Sequence, residues 1–125
     1  MLNILLVALG GGLGAASRYG VSLAIPARAG EWPWATFAIN VAGSLLIGAL
    51  AGWLAMKGEA GEPWRLLLGV GVLGGFTTFS AYSLETMRLV ERNDWLGATM
   101  YSLGSVIAGL AAVGLGLLIA KRVFG

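Results

Sequence analysis

The stretch GGFTTFSAYSLE, residues 74–85, holds the side chains of this sequence that are best suited to contact a small ion. Two sets recur at a spacing of three, the aromatic residues Phe76, Phe79 and Tyr82 and the hydroxyl residues Thr77, Ser80 and Ser83. Such spacing keeps each set near one face of a helix. Hydroxyls donate hydrogen bonds and aromatic rings have electropositive edges, so these faces could line a path for a small anion. From spacing alone, an aromatic packing stripe beside satisfied hydroxyls is the preferred interpretation.

The sequence offers little for enzymatic chemistry. It contains no histidine and no cysteine, which removes the commonest proton shuttle and metal ligand, and also thiolate chemistry. No histidine, lysine or carboxylate is placed to activate the hydroxyls of residues 74–85, so no catalytic residue is predicted. The formal net charge of +2 is too small to indicate a nucleic-acid partner.

The composition indicates that this chain is surrounded by lipid. Of its 125 residues, 58% are hydrophobic and 11% are charged, whereas soluble domains contain about 25% charged residues. Segments at about 2–25, 34–56, 65–90 and 95–120 each reach the roughly 20 residues that cross a bilayer. The first is predicted to be a transmembrane helix and not a signal peptide, because no basic segment precedes it. We therefore predict an all-α integral membrane protein, with one domain of residues 1–125 and four transmembrane helices.

Basic residues are distributed almost evenly between the two sides of this arrangement. One side carries Lys57, Arg65, Lys121 and Arg122. The other carries Arg28, Arg88 and Arg92, with Arg18 inside the first helix. The orientation of a chain in the membrane follows the difference in basic residues between its two sides, and here that difference is too small to set one orientation. The sequence predicts dual topology, with two oppositely oriented copies forming an antiparallel homodimer. One weakly enforced orientation is the alternative.

Small residues recur at every fourth position of three predicted helices. The stripes are Gly10 and Gly14, then Asn40, Ser44, Gly48 and Gly52, then Gly97, Tyr101, Ser105 and Gly109. Helices in lipid associate through such small residues. Oligomerisation is the predicted use, and packing within one copy is the alternative.

Several polar side chains lie within the predicted spans. Arg18 either extends its aliphatic chain so that the guanidinium reaches the membrane–water interface, or has a functional role. Asn40 either forms a hydrogen bond that joins two helices or has a functional role. Glu85 and Arg88 are spaced to form a local ion pair at a membrane rim. The other three spans contain no acidic residue, so a proton-coupled antiporter would have to rely on Glu85.

A break in the third span is predicted at about residues 74–78, near the bilayer midplane. Glycine pairs permit backbone that a helix forbids, and neighbouring hydroxyls can satisfy the freed groups. Irregular backbone at this depth is tolerated only inside protein or beside a watery cavity, where unwound carbonyls often bind Na⁺. In an antiparallel dimer, this break would lie close to the two-fold axis.

The stretch GGFTTFSAYSLE resembles the third-helix motif of the Fluc (CrcB-type) fluoride channels. Two further motifs are similar to that family, GGGLGAASRYG with Arg18 and FAINVAGSLLIG with Asn40. The resemblance extends along the whole chain, and four spans, weak charge bias and antiparallel dimers also belong to the family.

The resemblance implies roles for particular residues. Carbonyls of Gly74 and Thr77 from both subunits would hold a structural Na⁺ at the dimer centre. The implied ion pathway contains Asn40, Thr78, Phe79, Ser80, Tyr82, Ser83, Tyr101 and Ser105. Arg18 and Glu85 would have structural or vestibule roles. The family usually has phenylalanine where this chain has Tyr82, and a further hydroxyl is expected where it has Gly109.

The function implied by the resemblance is a fluoride-selective channel in a prokaryotic inner membrane. It would export fluoride passively and give resistance to fluoride toxicity. The expected partners are the fluoride ion, a second copy of the chain and the lipid bilayer. The alternatives are a small multidrug-type antiporter, which should carry a glutamate in its first helix, and a non-transporting membrane assembly protein.

Overall fold

Four helices of the protein are long and apolar enough, by length and composition, to cross a membrane. The computed structural model describes residues 1–28 and 31–125. The four candidate spans are Leu2–Ala24, Trp34–Leu54, Gly58–Glu91 and Trp95–Phe124, called here the first helix, the second helix, the third span and the fourth helix. The prediction of an all-α protein with four apolar spans is confirmed.

The boundaries differ from the prediction at two spans. The third span begins before the predicted residue 65, because helical turns at Gly58–Gly61 and Glu62–Trp64 precede its apolar run. The fourth helix continues past the predicted residue 120 to Phe124. Residues 29 and 30 of the predicted first linker lie outside the described residues.

The third span changes its backbone conformation along its length. After the two opening turns it continues as a π-helix at Arg65–Leu73 and an α-helix at Gly74–Phe76. Thr77 (φ −78°, ψ 158°) and Thr78 (φ −149°, ψ 123°) then have extended backbone, which suits β-branched residues. An α-helix resumes at Phe79–Glu91. Residues 58–76 are called the first half of the third span, and Phe79–Glu91 the second half.

The first helix packs against the first half of the third span through glycines. A Cβ added at Gly10 would overlap the carbonyl oxygen of Leu67, and one at Gly14 would overlap that of Val72. A Cβ added at Gly71 would lie 2.9 Å from the Cα of Gly10. The two backbones therefore touch directly, which only glycine allows.

The second and fourth helices run parallel and pack just as closely. A Cβ added at Gly48 would overlap the carbonyl oxygen of Val113, and one at Gly52 would lie 3.5 Å from that of Leu117. Contacts therefore advance in the same direction along both helices. Close packing of this kind holds helices together where burial from water contributes nothing.

The small-residue stripes are thus used inside the chain. Gly10, Gly14 and Gly48 each touch another helix of the same copy. Packing within one copy, the alternative interpretation, therefore explains these three positions, and the use of the stripes in oligomerisation stays a prediction.

A tight turn joins the third span to the fourth helix. Asn93 has φ 59°, a left-handed conformation that asparagine tolerates better than most residues. The next residue, Asp94, accepts a hydrogen bond from the Gly97 N–H at 2.9 Å and so caps the fourth helix.

Replacing Gly14 with alanine is expected to destabilise the protein by about 1–3 kcal/mol, the usual cost of overpacking a close contact. Its Cβ would meet the Val72 carbonyl, and backbone cannot rotate away as a side chain can. The measurement is the thermal denaturation of purified protein in detergent. Gly12→Ala is the matched control, because a Cβ at Gly12 has no neighbour within 4 Å among the described residues. Equal stability of both variants would contradict the described packing.

Candidate functional site

The side chain of Asn40 forms two hydrogen bonds with the backbone of Thr78, where the third span leaves helical conformation. Its Oδ1 accepts from the Thr78 N–H at 2.9 Å. Its Nδ2 donates to the Thr78 carbonyl oxygen at 2.9 Å. Both backbone groups are therefore satisfied by one amide, whose orientation is set because only its oxygen can accept. The second Nδ2 hydrogen remains for another acceptor.

The hydroxyl of Thr78 caps the second half of the third span. It accepts a hydrogen bond from the Ala81 N–H at 3.1 Å, and lies 3.3 Å from the Ser80 Oγ. N-terminal capping satisfies an N–H group that has no partner within the helix. The N-terminus of the second half, with its partial positive charge, thus begins at the contact between Asn40 and Thr78.

Arg18 contacts the same region from the first helix. Its Nε donates to the Gly75 carbonyl oxygen at 3.3 Å. In a continuous helix this oxygen would accept from the N–H of Phe79. The guanidinium therefore replaces a backbone partner that the extended conformation of Thr77 and Thr78 removes.

The carbonyl oxygens of Gly74 and Thr77 receive no hydrogen bond from the residues that the structure describes. A continuous helix would bring the Thr78 N–H to Gly74 and the Ala81 N–H to Thr77. These donors instead bind Asn40 and the Thr78 hydroxyl. Unwound carbonyl oxygens of this kind have the ligand chemistry that Na⁺ requires.

A cavity of about 410 Å³ adjoins the extended residues. The predicted site residues in its wall are Asn40, Gly74, Thr77, Thr78, Phe79, Tyr82 and Ser105. The Ser105 Oγ is buried and has no hydrogen-bond partner in the described part of the chain. The predicted site residues outside this wall are Arg18, Ser80, Ser83, Glu85 and Tyr101. The structure therefore brings together most of the predicted site.

The two predicted pore aromatics differ in their surroundings. The Phe79 side chain is 79% exposed. Its ring centroid lies 5.5 Å from that of Tyr82. The phenol hydroxyl of Tyr82 donates to the Ser102 carbonyl oxygen at 3.0 Å. The hydroxyl that distinguishes this position from the usual phenylalanine is therefore engaged by the fourth helix.

Glu85 binds two hydroxyl groups from other helices. Its Oε1 accepts from Thr36 at 2.8 Å, and its Oε2 accepts from Tyr101 at 2.9 Å. Tyr101 is completely buried, and Thr36 is nearly so. The carboxylate consequently joins the second helix, the third span and the fourth helix.

The predicted ion pair between Glu85 and Arg88 is wrong. The salt bridge found among residues 1–28 and 31–125 joins Arg65 and Glu62. Both oxygens of Glu85 instead accept charge-assisted hydrogen bonds from hydroxyls of the second and fourth helices. Thr36 was missed from sequence, although it precedes Asn40 by four residues and so shares its helix face.

Ser83 makes a local contact. Its hydroxyl donates to the Phe79 carbonyl oxygen at 2.9 Å, within its own helix. In this conformation its proton is not available to a bound ion.

Comparison with known proteins identifies the family. A family model described as "CrcB-like protein, Camphor Resistance (CrcB)" matches residues 5–117. The chain belongs to the CrcB-like family.

A relative from Caulobacter sp. strain K31 is 52% identical over 99% of this chain and 98% of its own length. Another, from Methylobacterium nodulans, is 50% identical over 98% of both chains. A third, from Novosphingobium aromaticivorans, is 57% identical over 94% of both. Each of the three is named "Fluoride-specific ion channel FluC".

Family and structure agree on the setting of this CrcB-like protein. Its four long apolar helices and its bacterial relatives identify a multi-pass bacterial membrane protein.

Replacing Asn40 with aspartate is expected to destabilise this CrcB-like protein by about 1–3 kcal/mol, the cost of an unsatisfied buried polar group. One carboxylate oxygen would face the Thr78 carbonyl oxygen, where Nδ2 now donates. Chemical or thermal denaturation in detergent measures the change. Asn93→Asp is the matched control, since it lies in the turn outside the contact. An Asn40→Asp variant as stable as this control would contradict the described pairing.

Replacing Tyr82 with phenylalanine is expected to cost about 0.5–1.5 kcal/mol, the net value of one hydrogen bond. The ring stays, and only the bond to the Ser102 carbonyl is lost. Denaturation midpoints should therefore fall slightly, while the protein keeps its oligomeric state. Tyr19→Phe serves as control, because Tyr19 is 66% exposed. A Tyr82→Phe variant as stable as the control would contradict the described hydrogen bond.

Proposed function

We propose that this protein is a fluoride-selective channel, not an enzyme, and that it exports fluoride passively. The observation that carries the proposal is 52% identity, over 99% of the chain, with a relative named as a fluoride-specific ion channel. The site supports it with neutral hydrogen-bond donors beside a cavity. A small multidrug-type antiporter is disfavoured, since the first helix carries no glutamate and Glu85 already binds two hydroxyls.

A passive pore is sufficient for this task. Hydrogen fluoride is a weak acid that crosses membranes as a neutral molecule and dissociates inside at near-neutral pH, which traps fluoride. A negative-inside potential drives the anion outward by about 2.3 kcal/mol per charge per 100 mV. Export along this gradient gives resistance to fluoride toxicity without energy coupling.

Fluoride is strongly hydrated, so a narrow pore must replace its water with other donors. Asn40 and Ser105 both line the cavity, and each keeps hydrogen-bonding capacity that the described residues do not use, in the second Nδ2 hydrogen of Asn40 and in the buried Ser105 hydroxyl. The N-terminus of the second half adds a partial positive charge beside them. Neutral donors bind the anion less tightly than a full positive charge would, so the anion can leave again.

The remaining predicted pathway residues extend this proposal. Phe79 and Tyr82 present ring edges, and Thr78 and Ser80 supply hydroxyls. Ser83 and Tyr101 border this path, with their protons donated to the Phe79 carbonyl oxygen and to Glu85. Arg18 and Glu85 hold the helices on either side, which is consistent with their contacts to Gly75 and Tyr101.

The functional unit in this proposal is an antiparallel homodimer in the inner membrane. Extended backbone within the hydrocarbon region must be covered by protein or water. The interruption at Thr77 and Thr78 would lie near the bilayer midplane, and a second copy would cover it. The 79% exposure of Phe79 supports a partner at this face, as does the nearly even distribution of basic residues.

A structural Na⁺ at the dimer centre is also part of the proposal. Gly74 and Thr77 would each contribute a carbonyl oxygen from both copies. The absence of hydrogen bonds to these oxygens within the described residues supports this assignment. The ion would supply positive charge on the two-fold axis and hold the two interruptions together.

The experiment is fluoride efflux from liposomes that contain the purified protein, with chloride as the comparison and no pH gradient. Rapid fluoride release with negligible chloride release is expected. Phe79→Ile and Asn40→Asp should both lower fluoride release, because each alters the proposed pathway. Tyr19→Phe, on an exposed part of the first helix, is the control variant.

Two results would contradict the proposal. Absence of fluoride release from folded, inserted protein would exclude a passive fluoride channel. Fluoride release that requires an imposed proton gradient would instead indicate an antiporter.

A further inference from the structure

The wall of the cavity contains a hydroxyl that has no role in the site described above. Ser44 lies in this wall, one helical turn after Asn40 on the second helix. A spacing of four puts both side chains on one helix face. The same wall includes Ser105, which lies on the fourth helix.

The second and fourth helices place Ser44 level with Gly109. A Cβ added at Gly109 would lie 3.5 Å from the Ser44 Oγ. The pairs Ser44–Gly109, Gly48–Val113 and Gly52–Leu117 keep a constant offset of 65 positions. The same offset places Asn40 level with Ser105. The wall therefore has two successive levels, and at each level a residue of the second helix faces a residue of the fourth helix.

Each level has polar side chains, but from different helices. At the first level, Asn40 and Ser105 both contribute. At the second level, the fourth helix has only the hydrogen of Gly109, and Ser44 supplies the hydroxyl from the second helix. The Ser44 hydroxyl thus lies where a serine on the fourth helix would otherwise place one.

The hydroxyls of Ser44 and Ser105 differ from those of other helical serines in this chain. Ser17, Ser22 and Ser83 each donate to a carbonyl oxygen four residues earlier. In the described part of the chain Ser105 has no partner at all, and no such bond to its own helix holds Ser44. A hydroxyl in an apolar setting costs free energy unless it finds a partner, and Ser44, which lines the cavity, can find one in a polar occupant there.

We infer that Ser44 is an ion-contacting residue of the fluoride path, which replaces the hydroxyl that the fourth helix lacks at Gly109. The inference rests on the proposed channel function. Fluoride leaving the level of Asn40 and Ser105 passes next to the Ser44 hydroxyl, which donates to it. The polar track therefore changes from the fourth helix to the second helix at this level.

The test moves the hydroxyl across the helix contact. Fluoride efflux from liposomes is measured for the unmodified protein, for Ser44→Ala and for the double variant Ser44→Ala with Gly109→Ser. Loss of one donor to an anion should lower the efflux rate of Ser44→Ala about tenfold. The double variant should recover to within about threefold of the unmodified rate, because the new hydroxyl arises where only Ser44 lies within 4 Å.

Ser17→Ala is the matched control, because its hydroxyl is bonded within its own helix and the residue is exposed. Size-exclusion chromatography of each variant checks that assembly is unchanged. An unchanged efflux rate in Ser44→Ala would overturn the inference, and so would a reduced rate that Gly109→Ser does not restore. In both cases fluoride efflux from the unmodified protein would leave the proposed function standing. Failure of the unmodified protein itself would remove the function and the inference together.

Discussion

The hydrogen-bonded pair between the Asn40 amide and the Thr78 peptide is the interaction on which the rest of the site depends. In an apolar medium, each unsatisfied backbone group costs several kcal/mol. A span can therefore leave helical conformation only where other groups replace the lost bonds. Asn40 does this for both groups of Thr78. Without it, the N–H and the carbonyl oxygen of Thr78 would both lose the partner that the described structure gives them.

The consequences extend to both neighbouring helices. Because the Thr78 N–H is bound to Asn40, the Gly74 carbonyl loses its helical partner and becomes available to a cation. The Gly75 carbonyl is reached from the opposite side by Arg18. The first and second helices thus hold the interruption between them, and the glycine contacts of Gly14 let the first helix approach closely enough.

The elements of this fold were largely predictable from sequence, and the partners were not. Mean apolarity and length are local properties, so the four spans followed directly from composition. Glycines before two β-branched residues similarly indicated where helical backbone would end. By contrast, Thr36 and Glu85 are separated by 49 positions, and their contact depends on how the second helix is rotated against the third span. A local pattern contains no such information, which is why the expected pair with Arg88 was wrong. The glycine stripes likewise show that a surface packs closely but not against which helix.

The placement of Glu85 completes the electrostatic logic of an anion path. It follows Thr78 by seven residues, which is roughly 10 Å of helix. A free carboxylate at that distance in low dielectric would repel fluoride at the cavity. Two hydroxyl donors, from Thr36 and Tyr101, stabilise the negative charge and hold it outside the cavity wall. The same carboxylate orients Tyr101, whose ring lies 5.5 Å from that of Tyr82. The acidic residue thereby positions the aromatic wall while its own charge remains outside that wall, so in the proposed pathway the cavity would present neutral donors, a helix N-terminus and ring edges to the ion.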